Sequence, residues 1–215
     1  MVLNNYSLEK NRFKSLPIFK VRYDLNQQNL EPSDSYDTIV IHHTGSKDYT
    51  INGLIERHMG KLNYGAIAYH FAIGREGEIY CTRDLSFKGA HAYPNSGKIG
   101  IGFLRSFDNN RPNQDELASL SKMIGALKSM YPINSVVGHN QDQLNEIIKR
   151  SLQEDIDFSH DLISGLWTPK SKSSFDDAKT DLSKRVEGTK IENIVQGLKT
   201  CPGINLHEVF LLNER

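Results

Sequence analysis

The fold of this chain is decided by the stretch TIVIHHTGS, residues 38–46. Four β-branched residues lead into two adjacent histidines, His42 and His43, and a Thr-Gly-Ser turn sequence follows. This pattern predicts a short buried strand. Because side chains alternate faces along a strand, the two histidines are expected to point in opposite directions. A single metal ion would therefore be bound by one of them and not by both.

Two distant segments could complete a metal site with one of these histidines. A second short apolar strand at 136–138 leads to His139, and the sequence KTCPG at 199–203 carries Cys201. Two imidazoles and one thiolate form a three-ligand zinc set that leaves a fourth position open for water, as in catalytic zinc sites. Other readings stay open: the histidines could be ordinary core residues, and Cys201 could pair with Cys81, the only other cysteine.

The composition excludes several classes of protein. A chain of 215 residues suits one domain, or one domain with an insertion. Lys and Arg total 26, as do Asp and Glu, so the charge predicts no electrostatic binding of nucleic acid. No apolar run is long enough to cross a membrane. Residues 1–6 lack the basic region and apolar stretch of a secretion signal, so none is expected.

Further strands are predicted around the histidine segments. Apolar runs predict strands at 69–74, 79–81 and 99–104, and residues 83–98 are interpreted as a loop. Residues 1–37 are polar and mixed, and are expected to form an N-terminal extension that packs on the body.

The strongest helix signal lies at about 114–130, where apolar residues recur at helical spacing. Asn113 and Glu116 resemble a capping box at its start, and the helix is expected to end before Pro132. A shorter helix is predicted after Thr50, and His58 within it is interpreted as a surface or interhelix residue.

Six short strings appear in an order that resembles a known enzyme family. They are IHHT at 41–44, AYHF at 68–71, GAHA at 89–92, IGIGF at 99–103, GH at 138–139 and KTCPG at 199–203. The order and the metal-ligand types resemble the zinc-dependent N-acetylmuramoyl-L-alanine amidases, the superfamily shared by phage lysozyme-type amidases and peptidoglycan-recognition proteins. Each string alone is a weak signal, whereas the set is specific.

The resemblance implies an α/β fold, with a central mixed β-sheet flanked by helices and a zinc ion at one edge of a groove. It implies a single amidase domain over residues 1–215. It also implies His42, His139 and Cys201 as the Zn²⁺ ligands, and it places Tyr69 beside the metal.

The implied reaction is hydrolysis of the amide that joins N-acetylmuramic acid to L-alanine, by a water that zinc activates at neutral pH. Lys199 matches the phage-type enzymes and would stabilise the charged tetrahedral oxygen, and Tyr69 would orient the water or the intermediate. The alternatives are a solvated helix end for Lys199 and ordinary strand packing for Tyr69. His91 and Asn95 lie where relatives contact substrate; His43 is grouped with them as substrate-binding, with a packing role as its alternative.

One segment departs from the family. His139 and Cys201 are 201 − 139 = 62 positions apart, whereas relatives have fewer than a dozen residues there. This predicts a helical insertion at about 141–197. It could serve as a lid, as an extra wall for substrate, or as the docking surface for an immunity or inhibitor protein.

The sequence leaves two main functions open. The first is an enzyme that cuts peptidoglycan, and the second is a non-catalytic peptidoglycan-recognition module. Relatives of the second kind usually lack the cysteine ligand, so Cys201 favours catalysis. A third interpretation is a regulatory protein with a vestigial site. An enzyme would act on the cell wall, in the periplasm or outside the cell, as an endolysin or a delivered toxin, or inside the cell in wall recycling.

Overall fold

The computed structural model describes residues 4–5, 13, 16–45, 49–107, 111–151 and 172–187, together with 192, 195 and 201. The predicted catalytic Lys199 and residues 152–171 of the predicted insertion lie outside the described residues. The chain divides into two units, Met1–Val137 and Gly138–Arg215.

A mixed β-sheet organises the first unit. Within the described residues it has seven strands: β1 (Asn4–Asn5), β2 (Ile18–Lys20), β3 (Tyr36–His43), β4 (Phe71–Ile73), β5 (Ile79–Cys81), β6 (Gly97–Phe103) and β7 (Ser135–Gly138). Their order across the sheet is β1-β2-β5-β4-β6-β3-β7. Strand β6 is parallel to β3 and β4, and β2 is parallel to β5, whereas β4–β5 and β1–β2 are antiparallel. The prediction of an α/β fold with a central mixed sheet is confirmed.

Two helices belong to the first unit. Helix α1 (Ile51–Ile55) is capped by Thr50, whose side chain accepts from the N–H of Gly53, and it continues into a π-helical turn, Glu56–Lys61. Helix α2 (Gln114–Met130) has the boundaries that the sequence predicts. Its capping box is formed, because the Asn113 side chain accepts from Glu116 N–H and the Glu116 carboxylate accepts from Asn113 N–H.

The second unit contains helices α3 (His139–Ser151) and α4 (Lys172–Arg185). Both fall largely within the segment that the sequence predicts to be a helical insertion. Among all the helices that the structure describes, none combines the length and apolar character needed to cross a membrane.

The predicted strand at 69–74 is shorter in the structure, since β4 begins at Phe71. The N–H of His70 donates to Gly100 O at 2.9 Å, while His70 O accepts from the N–H groups of both Thr82 and Arg83. These irregular bonds place Tyr69 in a bend before the strand.

Two rows of paired residues cross the centre of the sheet, and they face opposite sides because they are offset by one residue. The first, here called the apolar row, joins Ile41, Ile101, Phe71 and Cys81, all of which are buried. The second, here called the site row, joins His42, Gly102, Ala72 and Tyr80. The two central positions of the site row therefore carry almost no side chain.

Candidate metal centre and its surroundings

His42 is the β3 member of the site row and lies one position before the end of that strand. Its side chain is buried, and its ring packs against the rings of Tyr69 and His91, with centroid distances of 5.0 and 4.9 Å. Its Nε2 atom lies 2.9 Å from Nδ1 of His91, which is a hydrogen-bonding distance. The predicted metal ligand is thus held in a fixed orientation by two neighbouring rings.

Tyr69 lies over the glycine of the site row. A Cβ added to Gly102 would fall 2.7 Å from Cδ2 of the Tyr69 ring, so only glycine leaves room for that ring in its present position. The ring also contacts His58 at a centroid distance of 5.6 Å. Tyr69, whose phenol is predicted to assist catalysis, therefore lies beside His42 on the face of the sheet where Gly102 leaves space.

His91 and Asn95 form one local unit in the loop before β6. Asn95 Oδ1 accepts hydrogen bonds from the N–H groups of His91 and Ala92, both at 2.9 Å. The His91 ring is buried against two glycines, Gly89 and Gly100, at each of which an added Cβ would overlap it. Asn95 thus fixes the loop that carries His91; contact of either residue with substrate stays a prediction.

His43 faces away from His42, as strand alternation predicts. Its ring is buried 6.2 Å from the ring of Phe107, and its Nδ1 atom accepts the N–H of Gly45 at 2.9 Å. The structure therefore gives His43 a role in holding the turn after β3. Its assignment to the substrate-binding group stays a prediction.

His58 was interpreted from the sequence as a surface or interhelix residue, and the structure buries it instead. Its Nδ1 atom accepts the N–H of Ala68 at 3.1 Å, and its ring packs edge-on against Tyr69. Burial, with smaller contributions from Arg57 and Arg83, lowers its pKa to about 4. A neutral His58 therefore supports the segment that presents Tyr69.

Arg83 is a second residue that the sequence did not single out. It is buried, and its guanidinium donates to the carbonyl oxygens of Ile67, Lys88 and Ala66 at 2.7, 2.7 and 3.0 Å. It thereby joins the segment before Tyr69 to the loop before His91. Every residue has a main-chain carbonyl, so the sequence carries no local signal for these hydrogen bonds of Arg83.

His70 is fully enclosed and stays neutral, because burial lowers its pKa to about 4. Its Nδ1 atom accepts the N–H of Gly100 at 3.0 Å, and its Nε2 atom lies 3.0 Å from Phe87 O. Since Nδ1 is the acceptor, Nε2 carries the proton and donates to that carbonyl. These contacts make His70 a packing and supporting residue.

In the second unit, Cys201 comes back to His139 despite the 62 positions between them. The Sγ atom of Cys201 and a ring nitrogen of His139 lie within 4.8 Å of each other, and the N–H of Asn140 donates to Cys201 O at 2.8 Å. Cys201 is buried, and neither it nor Cys81 forms a disulfide, so the alternative of a Cys81–Cys201 bond is wrong. The third predicted ligand, His42, belongs to the first unit.

The chain is similar to known proteins in sequence and in fold. A family model described as N-acetylmuramoyl-L-alanine amidase matches residues 32–152. Peptidoglycan-recognition protein 2 of Holotrichia diomphalia is 33% identical over 95 residues, which make up 40% of this chain and 51% of that protein. The chain thus spans about half the length of this curated relative.

Two solved structures share the fold. An endolysin N-acetylmuramoyl-L-alanine amidase, LysCS of Clostridium intestinale, superposes with a TM-score of 0.54 at 23% identity, over 66% of this chain and 98% of that one. The tracheal cytotoxin complex of peptidoglycan recognition proteins LCa and LCx gives a TM-score of 0.53 at 24% identity, over 58% of this chain and 85% of that one. At these identities the likeness concerns the fold.

Proposed function

Because this chain belongs to the N-acetylmuramoyl-L-alanine amidase family, we propose that it is a zinc-dependent hydrolase that cleaves the amide between N-acetylmuramic acid and L-alanine in bacterial peptidoglycan. The observation that carries this proposal is the return of Cys201 to His139 within the second unit. A buried cysteine beside a histidine supplies two of the donor types that zinc prefers, and recognition modules usually lack this cysteine.

The donor set fits zinc. An imidazole nitrogen and a thiolate sulfur bound to one zinc ion lie at most about 4.4 Å apart, the sum of the two bond lengths. The ring nitrogen of His139 and the Sγ atom of Cys201 lie within 4.8 Å of each other, so a small movement at most would meet this limit. We assign His42 as the third ligand: it lies one position before the end of β3, whose neighbour in the sheet, β7, leads directly into His139.

A zinc ion held by these residues would supply a water activated near neutral pH and an electrophile for the scissile carbonyl. The chain's own residues would orient the reactants. Tyr69, held over Gly102 and against His42, would direct its hydroxyl to the water or the tetrahedral oxygen. Lys199 would stabilise the negative charge on that oxygen, and the thiolate of Cys201 would offset one positive charge of the ion.

The substrate would be peptidoglycan or a muropeptide, and the place of action the bacterial cell wall. His91 and Asn95, in the loop before β6, would contact the glycan or the peptide of the substrate. Tracheal cytotoxin, bound by the recognition proteins LCa and LCx in their complex, supports a ligand of this class for the shared fold.

A non-catalytic recognition module is the second candidate function. One observation favours it: curated relatives such as peptidoglycan-recognition protein 2 of Holotrichia diomphalia, at 33% identity, are peptidoglycan-recognition proteins by name. The predicted insertion at 141–197 bears on both functions as a lid or a wall. Its use by an immunity or inhibitor protein has no support from the comparisons and stays a prediction.

The deciding experiment incubates the purified protein with muropeptides, with and without a chelator, and identifies the products by mass spectrometry. Zinc is measured in the same sample. The matched variant is Cys201→Ser, which removes the thiolate but keeps the side-chain size.

We expect about one zinc per chain and release of a peptide that begins with L-alanine, and both should be lost on chelation or in Cys201→Ser. Zinc without cleavage would move the function to recognition. No zinc in the wild-type protein would overturn the metal site itself.

A further inference from the structure

We infer that His91 is a positioning residue for the metal ligand His42: its Nδ1 atom accepts a hydrogen bond from His42 Nε2–H, and this directs Nδ1 of His42 to the zinc. The inference rests on the proposed function, and it extends it from the ligands to the group that sets their geometry. It gives His91 a task that does not depend on contact with substrate.

The rings of His42 and His91 lie at a hydrogen-bonding distance. Nε2 of His42 and Nδ1 of His91 are 2.9 Å apart, and the rings meet edge to face at 81°. Hydrogen bonding uses one nitrogen of the His42 ring, so only its other nitrogen, Nδ1, can bind a metal. A histidine that binds a metal through one nitrogen normally donates its other N–H to a fixed acceptor, which sets the ring orientation and tautomer.

The His91 ring lies in a slot between two glycines. A Cβ at Gly100 would lie 2.5 Å from its Cδ2 atom and 2.7 Å from its Cγ atom, and a Cβ at Gly89 would overlap the same edge. Gly100 and Gly89 thus form two walls that touch the ring directly. Such close walls restrict the ring to the orientation in which Nδ1 points at His42.

The main chain and the ring of His91 are both held in place. Its main-chain N–H donates to Asn95 Oδ1 at 2.9 Å, and Ala90 N–H donates to Ala68 O at 3.0 Å. Its ring packs edge-on against His70, which is itself fixed by Gly100 and Phe87. An acceptor that is rigid before the metal arrives costs little ordering entropy when it is used.

The acceptor is of an unusual kind. Metal-bound histidines most often donate to a carboxylate, a main-chain carbonyl or water. Here the acceptor is an imidazole nitrogen, which carries no negative charge, whereas the proposed ligand Cys201 would supply a thiolate. His91 therefore orients the ligand without adding a second anion beside it.

The test compares two substitutions of the same residue by their affinity for zinc in the absence of substrate. His91→Leu fills the slot but removes the acceptor, whereas in His91→Asn the Oδ1 atom replaces Nδ1 as acceptor. Zinc affinity is measured by competition with a chromophoric chelator, and circular dichroism of the metal-free variants checks folding. The tautomer of His42 is read in the zinc-loaded wild-type protein by long-range ¹⁵N–¹H correlation spectra, which need no variant.

We expect His91→Leu to bind zinc about 10–100-fold more weakly and His91→Asn to stay within a few-fold of the wild type. The spectra should show His42 bound to zinc through Nδ1 with a proton on Nε2. Equal zinc affinity in folded His91→Leu, or zinc bound through Nε2 of His42, would overturn this inference alone. A wild-type protein that binds no zinc would overturn the proposed function as well, so the two failures are distinguishable.

Discussion

The apolar row and the site row lie one residue apart on the same four strands, yet they serve opposite purposes. The apolar row fills its face with Ile41, Ile101, Phe71 and Cys81, which pack out of contact with water. The site row leaves its centre empty, with glycine and alanine, so that the rings of Tyr69 and His42 have room. Stability is thus concentrated on one face, and the space for chemistry lies on the other.

The largest effect should come from the apolar row. Replacing Ile101 by Ala removes a buried side chain at the centre of the sheet, and the unfolding free energy should fall by about 2–5 kcal/mol. Urea denaturation measures this loss, with Ile101→Val as the milder control, at about 0.5–1.5 kcal/mol. If folded Ile101→Ala also bound zinc more weakly, the apolar row would not be separate from the metal site.

A pH effect of similar size should come from His70, which supports the site row through Gly100. Its pKa falls from 6.5 to about 4 on folding, so the unfolded chain binds the extra proton and the folded protein does not. Stability should therefore be complete above about pH 6.5 and decrease by about 3 kcal/mol as the pH falls to 4. His58, with a pKa lowered in the same direction, adds to this slope.

The measurement is the urea midpoint between pH 7 and pH 4. The matched variant is His70→Asn, which keeps an acceptor for Gly100 N–H but does not titrate, and its stability should depend less steeply on pH. An unchanged slope in this variant would mean that His70 is not the group that titrates.

A smaller effect, on activity alone, should come from Gly102→Ala in the site row. The added Cβ would press on the Tyr69 ring, so kcat/KM should fall about tenfold, equivalent to about 1.4 kcal/mol, while stability changes by less than about 1 kcal/mol. The control is Gly125→Ala in α2, where an added Cβ meets nothing within 4 Å. That variant should keep full activity and gain about 0.5–1 kcal/mol of stability. Kinetics and urea denaturation of the two variants show whether an added methyl group costs activity only in the site row.

The elements on which this comparison rests were largely visible in the sequence, because their signals are local. Alternation of residues predicted that His42 and His43 face opposite ways, and helical spacing with a capping box predicted a helix at about 114–130, where α2 lies. The boundaries of β4 were less accurate, since the bend at Tyr69 depends on hydrogen bonds with Gly100 and Thr82, which are distant in sequence.

His58 and Arg83 escaped prediction for reasons that are also physical. The sequence predicted an ordinary helix after Thr50, but the π-helical turn at Glu56–Lys61 adds a residue per turn and changes which side chains face inward. Arg83 bonds only to main-chain carbonyls among the contacts described, and carbonyls are the same in every residue. Space for a ring, such as that over Gly102, likewise becomes visible only when strands are paired.

The smallest effect should come from His43, which lies beside the predicted ligand His42 but on the opposite face. In His43→Asn the Oδ1 atom can still accept Gly45 N–H, as Nδ1 of His43 does now, so the turn after β3 should persist. Since the turn persists, we expect kcat/KM to change by less than about threefold, which corresponds to under about 0.7 kcal/mol. Zinc affinity should stay the same.

The same substitution at His42 should abolish zinc binding, since it removes the ligand itself. Steady-state kinetics and chelator competition on both variants test whether His42 is a metal ligand while His43, the next residue along β3, only supports the turn. A rise in KM for His43→Asn with unchanged kcat would instead place His43 in contact with substrate, as its assignment to the substrate-binding group predicts. Substrate would then reach the side of β3 that packs against Phe107, and the two faces could not be divided as the paired rows indicate.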